Sequence, residues 1–232
     1  MARVSLNKEL DRFRRRLYLP AYRVSDAARY AQTTTQIVSY WHYGGGQLGA
    51  ALPGSQRRQP LSYMELIEVA FVAFFRKNGV SLQRIRNARI YAGQNLNAEY
   101  PFVEYRWYTE GFHILMEFDQ FEASNAFQVV LADRGGQLTW QDMMLNKFAE
   151  FDYEEVGEEN WALRWHPVGR DSKVVVDPRI SFGAPIVEGL PTWVLRGRWK
   201  ANEEIEEIIE DFGISREAVI DGLRFEGIEV AA

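Results

Sequence analysis

The chain has 232 residues, of which 47% are hydrophobic and 25% charged, with 27 Lys+Arg against 32 Asp+Glu and a net charge of −5. That composition excludes wholesale disorder and collagen-like repeats, and the absence of cysteine excludes a disulfide framework, a thiol nucleophile and a thiolate zinc site. The charge is unevenly placed: residues 1–97 hold 15 Lys+Arg and 5 Asp+Glu, a net +10, whereas residues 98–232 hold 12 and 27, a net −15.

Leu6, Leu10, Phe13 and Leu17 recur at spacings of four, three and four, which predicts an amphipathic helix over residues 5–17 that Pro20 stops. Ser25 reads as the N-cap of a short helix through Ala31, and Thr33-Thr34-Thr35 as the cap of a second from Thr35 to Tyr43. Two short helices with a tight break between them are the outline of a helix-turn-helix. Gly44-Gly45-Gly46 ends the second helix, and residues 44–60, with Pro53, Gly54 and Pro60, read as a loop or short β-wing. Ser62-Tyr63-Met64-Glu65 is a capping box. It opens a helix that is apolar on most sides and ends at Asn78-Gly79, after which Ser81 caps another.

From Phe102 the pattern changes to short β-branched and aromatic runs: Phe102 to Thr109, Phe112 to Phe118, Phe127 to Ala132 and Gln137 to Trp140, separated by Gly-containing turns. These predict a small central antiparallel sheet, to which Trp161–Trp165 and Lys173–Val176 add strands. Tyr105, Trp107 and Tyr108 read as core. A Gly/Pro-rich stretch through Pro191 follows. The end is helical, with Asn202 capping a helix that Gly213 closes and Ser215 starting the last one. The expected fold class is therefore α+β.

Tyr22-Arg23-Val24-Ser25-Asp26-Ala27-Ala28, Thr35-Gln36-Ile37-Val38-Ser39-Tyr40-Trp41, Leu61-Ser62-Tyr63-Met64-Glu65-Leu66 and Lys77-Asn78-Gly79-Val80-Ser81-Leu82-Gln83-Arg84-Ile85 occur in this order over residues 20–92. In them the front of the chain resembles the MerR-type winged helix-turn-helix. The tail carries Val176-Asp177-Pro178-Arg179-Ile180, Gly183-Ala184-Pro185-Ile186-Val187-Glu188-Gly189-Leu190-Pro191-Thr192 and Ile208-Ile209-Glu210-Asp211-Phe212-Gly213-Ile214. It resembles a small domain of previously unassigned function in antitoxins that accompany PIN-like ribonuclease toxins. The pairing of the two is similar to VapB-type antitoxins with a helix-turn-helix domain. Two departures stand out. Ser39 replaces the arginine usual in MerR regulators, and Gly93 and Pro101 interrupt the place of their long dimerisation helix.

The resemblance, which spans most of the chain except residues 98–170, implies a winged helix-turn-helix DNA-binding domain over 1–97 and a helical antitoxin-like domain over 171–232, while the strand pattern makes 98–170 a β-rich central region. Physically, a cationic front attracts a polyanion, and a recognition helix enters the major groove by its N-terminal end. Gln36 suits an adenine edge, and Thr33, Thr34 and Thr35 are short enough for phosphates or thymine methyls, with Ser39 further along the same helix. The alternative for Thr33 to Gln36 is a simple helix cap, against which the surrounding arginines weigh, and Tyr40 and Trp41 read as core. Arg57 and Arg58 in the wing and the Arg12 to Arg16 run, with Arg12, Arg15 and Arg16, suit flanking phosphates, which set position rather than sequence.

His42, His113 and His166 have no metal-ligand spacing, no phosphate-binding glycine loop or nucleophile elbow occurs, and the carboxylates cluster as solvated surface. Neither an enzyme nor a cofactor is expected. The stretch after Met1-Ala2-Arg3-Val4 is charged and no apolar run approaches the ~20 residues of a membrane span, so a cytoplasmic protein without a membrane partner is expected. The expected function is that of a type II antitoxin that neutralises a PIN-like toxin and represses its own operator, as a homodimer or a toxin–antitoxin hetero-oligomer. Arg196 and Arg198, flanked by Trp193 and Trp199, are the expected toxin-binding residues. Their structural alternative is pairing with the acidic final helices. The alternative function is a free-standing MerR-like regulator whose aromatic middle senses a small molecule. An enzyme using Asp and Glu with a metal would need carboxylates converging in one cleft.

Overall fold

Alternation of buried and exposed positions accounts for the helices at the front of the computed structural model, which describes residues 13, 15–44, 50–52, 59–96, 99–103, 146–156 and 159–230. Ala27, Ala28 and Tyr30 of α1 (Val24–Tyr30) are buried, and so are Val38, Trp41 and His42 of α2 (Thr35–Tyr43), the latter at the i, i+3, i+4 spacing of a helical stripe. Between the helices Gln32 turns the chain in the left-handed region, at φ 54°, and the amide of Thr33 donates to the Ala28 carbonyl at 2.8 Å. Thr34 caps α2 by accepting from the Ile37 amide. The first cap differs from expectation. Arg23, extended and without a side-chain cap, precedes α1, and Ser25 lies inside its first turn. The backbone groups there are closed instead by the Asp26 and Ala27 amides donating to the Arg23 carbonyl.

An antiparallel bridge between Tyr22 and Leu61 ties the entry of α1 to the entry of α3 (Tyr63–Lys77). The capping box forms as expected: Ser62 Oγ accepts from the Glu65 amide at 3.2 Å, and Glu65 Oε2 accepts from the Ser62 amide at 2.7 Å. Ser81 Oγ likewise accepts from the Arg84 amide at the start of α4 (Leu82–Leu96). Phe71 and Phe75 of α3 meet Phe102 at centroid distances of 5.7 and 5.6 Å, and Phe71 meets Phe148 at 5.5 Å. Glu68 is buried in the same helix, yet its two oxygens accept from Arg89 Nε at 2.8 Å and from the Phe102 amide at 2.9 Å. The buried charge is thus fully engaged.

The described sheet has five strands in sequence order: β1 (Phe151–Val156), β2 (Glu159–Trp165), β3 (Val174–Val176), β4 (Pro185–Val187) and β5 (Leu190–Pro191). The pairs β2–β3, β3–β4 and β4–β5 are antiparallel, with Val175 opposite Ile186 and Val187 opposite Leu190. Of the expected central strands, Phe102 and Val103 lie in a turn, and the rest of Phe102 to Thr109, with the other three runs and Tyr105, Trp107, Tyr108 and His113, falls outside the described residues.

The tail is therefore not helical throughout. Glu188 and Gly189 link β4 to β5 with positive φ of 47° and 89°, the requirement of a type I′ two-residue hairpin. Three helices follow: α5 (Thr192–Lys200), α6 (Ile205–Phe212) and α7 (Arg216–Phe225). Val174, Val187, Leu195, Ile205, Ile208, Val219 and Leu223 form their shared core. The cap of α6 moves from the expected Asn202 to Glu204, which makes a capping box with Glu207, while Asn202 sits at φ 61°. Gly213 ends α6 in the left-handed region and Ser215 caps α7, both as expected.

By its contacts the chain divides into two units, Met1–Ala149 with Tyr153–Ala162 and Glu150–Asp152 with Leu163–Ala232. Mixed helices and an antiparallel sheet make the fold α+β.

Candidate functional site

In the first unit the exposed face of α2 is the principal candidate. Thr35, Gln36 and Tyr40 are exposed and Ser39 half-buried, and with Val24, Tyr43 and Gly44 they line an open groove of about 750 Å³. Thr33 is half-buried, and Thr34 is exposed with its hydroxyl engaged in the cap. Trp41 is core, as expected. Tyr40 is not: it is 54% exposed, and with Gln36 and Tyr43 it forms an i, i+4, i+7 stripe opposite the buried one. That stripe was legible in the sequence, but the aromatic character of Tyr40 argued for burial. Gly44 stands where it does because a Cβ there would lie 2.6 Å from the Tyr40 carbonyl oxygen, so this end of the face tolerates only glycine. Arg15 and Arg16 are exposed, whereas Arg12, Arg57 and Arg58 lie outside the described residues.

In the second unit the four residues singled out on α5 divide. Trp193 is 57% exposed, while Trp199 packs against the core. Arg196 reaches Glu226 at 3.1 Å, and Glu226 also accepts from Thr192 Oγ1 at 2.6 Å. Arg198 bonds Glu203 and Asp211, with its guanidinium carbon 5.2 Å from the centre of the Phe212 ring. Both arginines are thus engaged with carboxylates of this unit.

A second charged group, which the sequence reading missed, surrounds two aspartates. Asp177 is completely buried and accepts from the Arg179 amide at 2.9 Å, from Arg179 Nε at 2.9 Å and from Arg179 Nη2 at 2.7 Å. Arg164 lies 3.6 Å from Asp177 and 3.5 Å from Asp152. Asp152 further meets Arg170 at 2.7 Å and His166 at 3.2 Å. Burial alone would raise the Asp152 carboxyl, but hydrogen bonds from His166 and Arg170 outweigh it and hold the group below its ordinary range. The participants are scattered from residue 152 to 179, and only the register of the strands brings them together. Among the described residues no group of three or more acidic or histidine side chains is placed to hold a metal ion, and no helix is long and apolar enough to cross a membrane.

No known protein-family profile matches the chain. In sequence it is similar to a curated protein of Mycobacterium tuberculosis (strain ATCC 25618 / H37Rv) named "Putative antitoxin VapB45", at 23% identity over 90% of this chain and 94% of that protein. In structure it is similar to the X-ray crystal structure of Rv2018 from M. tuberculosis, with a TM-score of 0.69 and 21% identity, covering 90% of this chain and 99% of that one. The fold is shared over nearly the whole of both chains.

Proposed function

We propose that this protein is the antitoxin of a type II toxin–antitoxin pair, which neutralises a PIN-like ribonuclease toxin and binds its own operator DNA as an autorepressor. The observation that carries the antitoxin reading is the similarity to a protein named as an antitoxin over 90% of this chain, front and tail together. The DNA reading is supported by α2, whose exposed N-terminal half offers Thr35 and Gln36 without a carboxylate in its first turn. An acid there would repel phosphate, whereas the positive end of the helix favours it. The +10 balance of residues 1–97 supplies the long-range attraction, with Arg15 and Arg16 on phosphates flanking the groove that α2 enters. The more acidic second unit, 9 Lys+Arg against 15 Asp+Glu, is the half that holds the toxin. In this reading the protein acts in the cytoplasm and performs no catalysis itself.

Two measurements test the reading. Co-expressed with the product of the adjoining reading frame, the chain is expected to co-elute and to relieve that product's growth arrest. In a gel shift, a fragment of its own promoter is expected to be retarded at low ionic strength. A chain that neither co-elutes nor shifts the fragment overturns the proposal.

A further inference from the structure

Phe182 is the most exposed large apolar side chain described, 96% open to solvent, in a backbone conformation that aromatic residues avoid, φ 55° and ψ 29°. Ser181 before it is also left-handed, at φ 47°. Two adjacent non-glycine residues in that region are a local cost that the surroundings must impose. They do so tightly. The Ile180 amide donates to the Asp177 carbonyl at 3.0 Å, the Gly183 amide to Ile180 at 2.8 Å and the Ala184 amide to Ser181 at 3.1 Å. At the loop's base the buried Asp177 carboxylate grips both the amide and the guanidinium of Arg179. The result is a rigid turn that holds Phe182, with the 38% exposed Ile180, away from its own core. An ordinary core-forming chain gains nothing from this arrangement, since it spends strain to keep an aromatic ring wet.

The surroundings of the turn indicate what covers it. Arg164, Arg170 and Arg179 have side-chain exposures of 40%, 51% and 34%, while the aspartates they grip, Asp152 and Asp177, are 29% and 0% exposed. Toward solvent this cluster therefore shows guanidinium, within a unit that is acidic elsewhere. An aromatic on a backbone-fixed turn whose base carries Arg179 and Arg164 has the composition of an interface hot spot, because the ordering of its backbone is already complete before binding. Nucleic acid would also accept an aromatic and arginines, but the excess of six acidic residues in this unit opposes it.

We infer that the Asp177–Ala184 turn is a protein-docking knob: Phe182 enters an apolar pocket of the partner protein, and Arg164, Arg170 and Arg179 meet carboxylates on that pocket's rim. The inference deepens the antitoxin reading and rests on it, the partner being the toxin.

The test compares the full-length chain with F182A and F182G, each co-expressed with the adjoining reading frame's product and followed by titration calorimetry of the purified proteins. F182G removes the ring and also relieves the left-handed strain, so its melting temperature is expected to equal or exceed that of the parent while its affinity for the toxin falls at least tenfold. F182A is expected to lose affinity similarly. The parent's affinity is expected to weaken with added salt, as rim charge pairs require. Parent-like binding by both variants overturns the knob and leaves the antitoxin reading standing; a parent that does not bind overturns both. If instead F182G abolishes self-association in sedimentation, or promoter binding in a gel shift, with toxin affinity intact, the turn serves a second copy or DNA, and the inference is wrong.

Discussion

Asp177 and Asp152 show how much depends on single carboxylates in the second unit. Because Asp177 is fully buried under the Arg179 guanidinium and backbone amide, Asp177→Ala leaves those donors unanswered. The expected loss is about 3 kcal/mol of unfolding free energy, measured by denaturant titration. Asp152 and Glu188 also set a pH dependence. Asp152 is held below its ordinary range against burial by His166 and Arg170, and Glu188 is lowered by the Ser215 amide and hydroxyl. A carboxyl depressed in the folded state contributes stability that is present above its unfolded value, near pH 4, and is lost as pH falls through the lower folded value. Denaturant midpoints are therefore expected to fall on acidification below pH about 4, and the D152N and E188Q variants to show a shallower fall. Neither carboxylate announces itself in the sequence. Asp177 could be read there only as part of a familiar-looking motif, because its burial follows from strands distant along the chain.

At the scale of elements, the helix ends were largely legible, since capping is a local matter of one side chain and amides two or three residues on. Ser62 with Glu65, Thr34, Ser81, Gly213 and Ser215 all act where their residue types suggest. Ser25 and Asn202 failed for a shared reason: another backbone path was available, so a competent capping residue was left inside a first turn in one case and in a left-handed bend in the other. Ser62→Ala and Gly213→Ala are each expected to cost about 1 kcal/mol, read as a lowered denaturant midpoint with an unchanged slope. The β4–β5 hairpin was invisible because its strands are only three and two residues long and carry Pro185 and Pro191, so no alternating run marks them. Glu188 tolerates φ 47° while its carboxylate holds Ser215, a partner 27 residues away. Helix α5 was likewise unrecognised, as its buried residues, Thr192 and Leu195, are too few to make a visible stripe.

For the whole molecule the governing quantity is the division of charge. A front of net +10 that neutralises about five phosphates would lose roughly 10²- to 10³-fold in operator affinity between 50 and 200 mM salt. Measured as the slope of affinity against salt, Arg15→Ala and Arg16→Ala are expected to flatten it by about one unit each, whereas Gln36→Ala leaves the slope unchanged and relaxes discrimination at one base pair. A slope near zero would remove the electrostatic basis of the DNA reading. Charge balance, helix periodicity and caps belong to the sequence itself, because each depends on composition or on residues within about one helical turn. The sequence by itself thus determined the basic front, the pair of short helices and the buried third helix. Tertiary structure alone decided which carboxylates answer Arg196 and Arg198, namely Glu226, Glu203 and Asp211, that Asp177 is buried, and that Phe182 stands outside the core. Those outcomes turn on desolvation and on pairing between distant residues, and a linear pattern holds no record of which side chains meet.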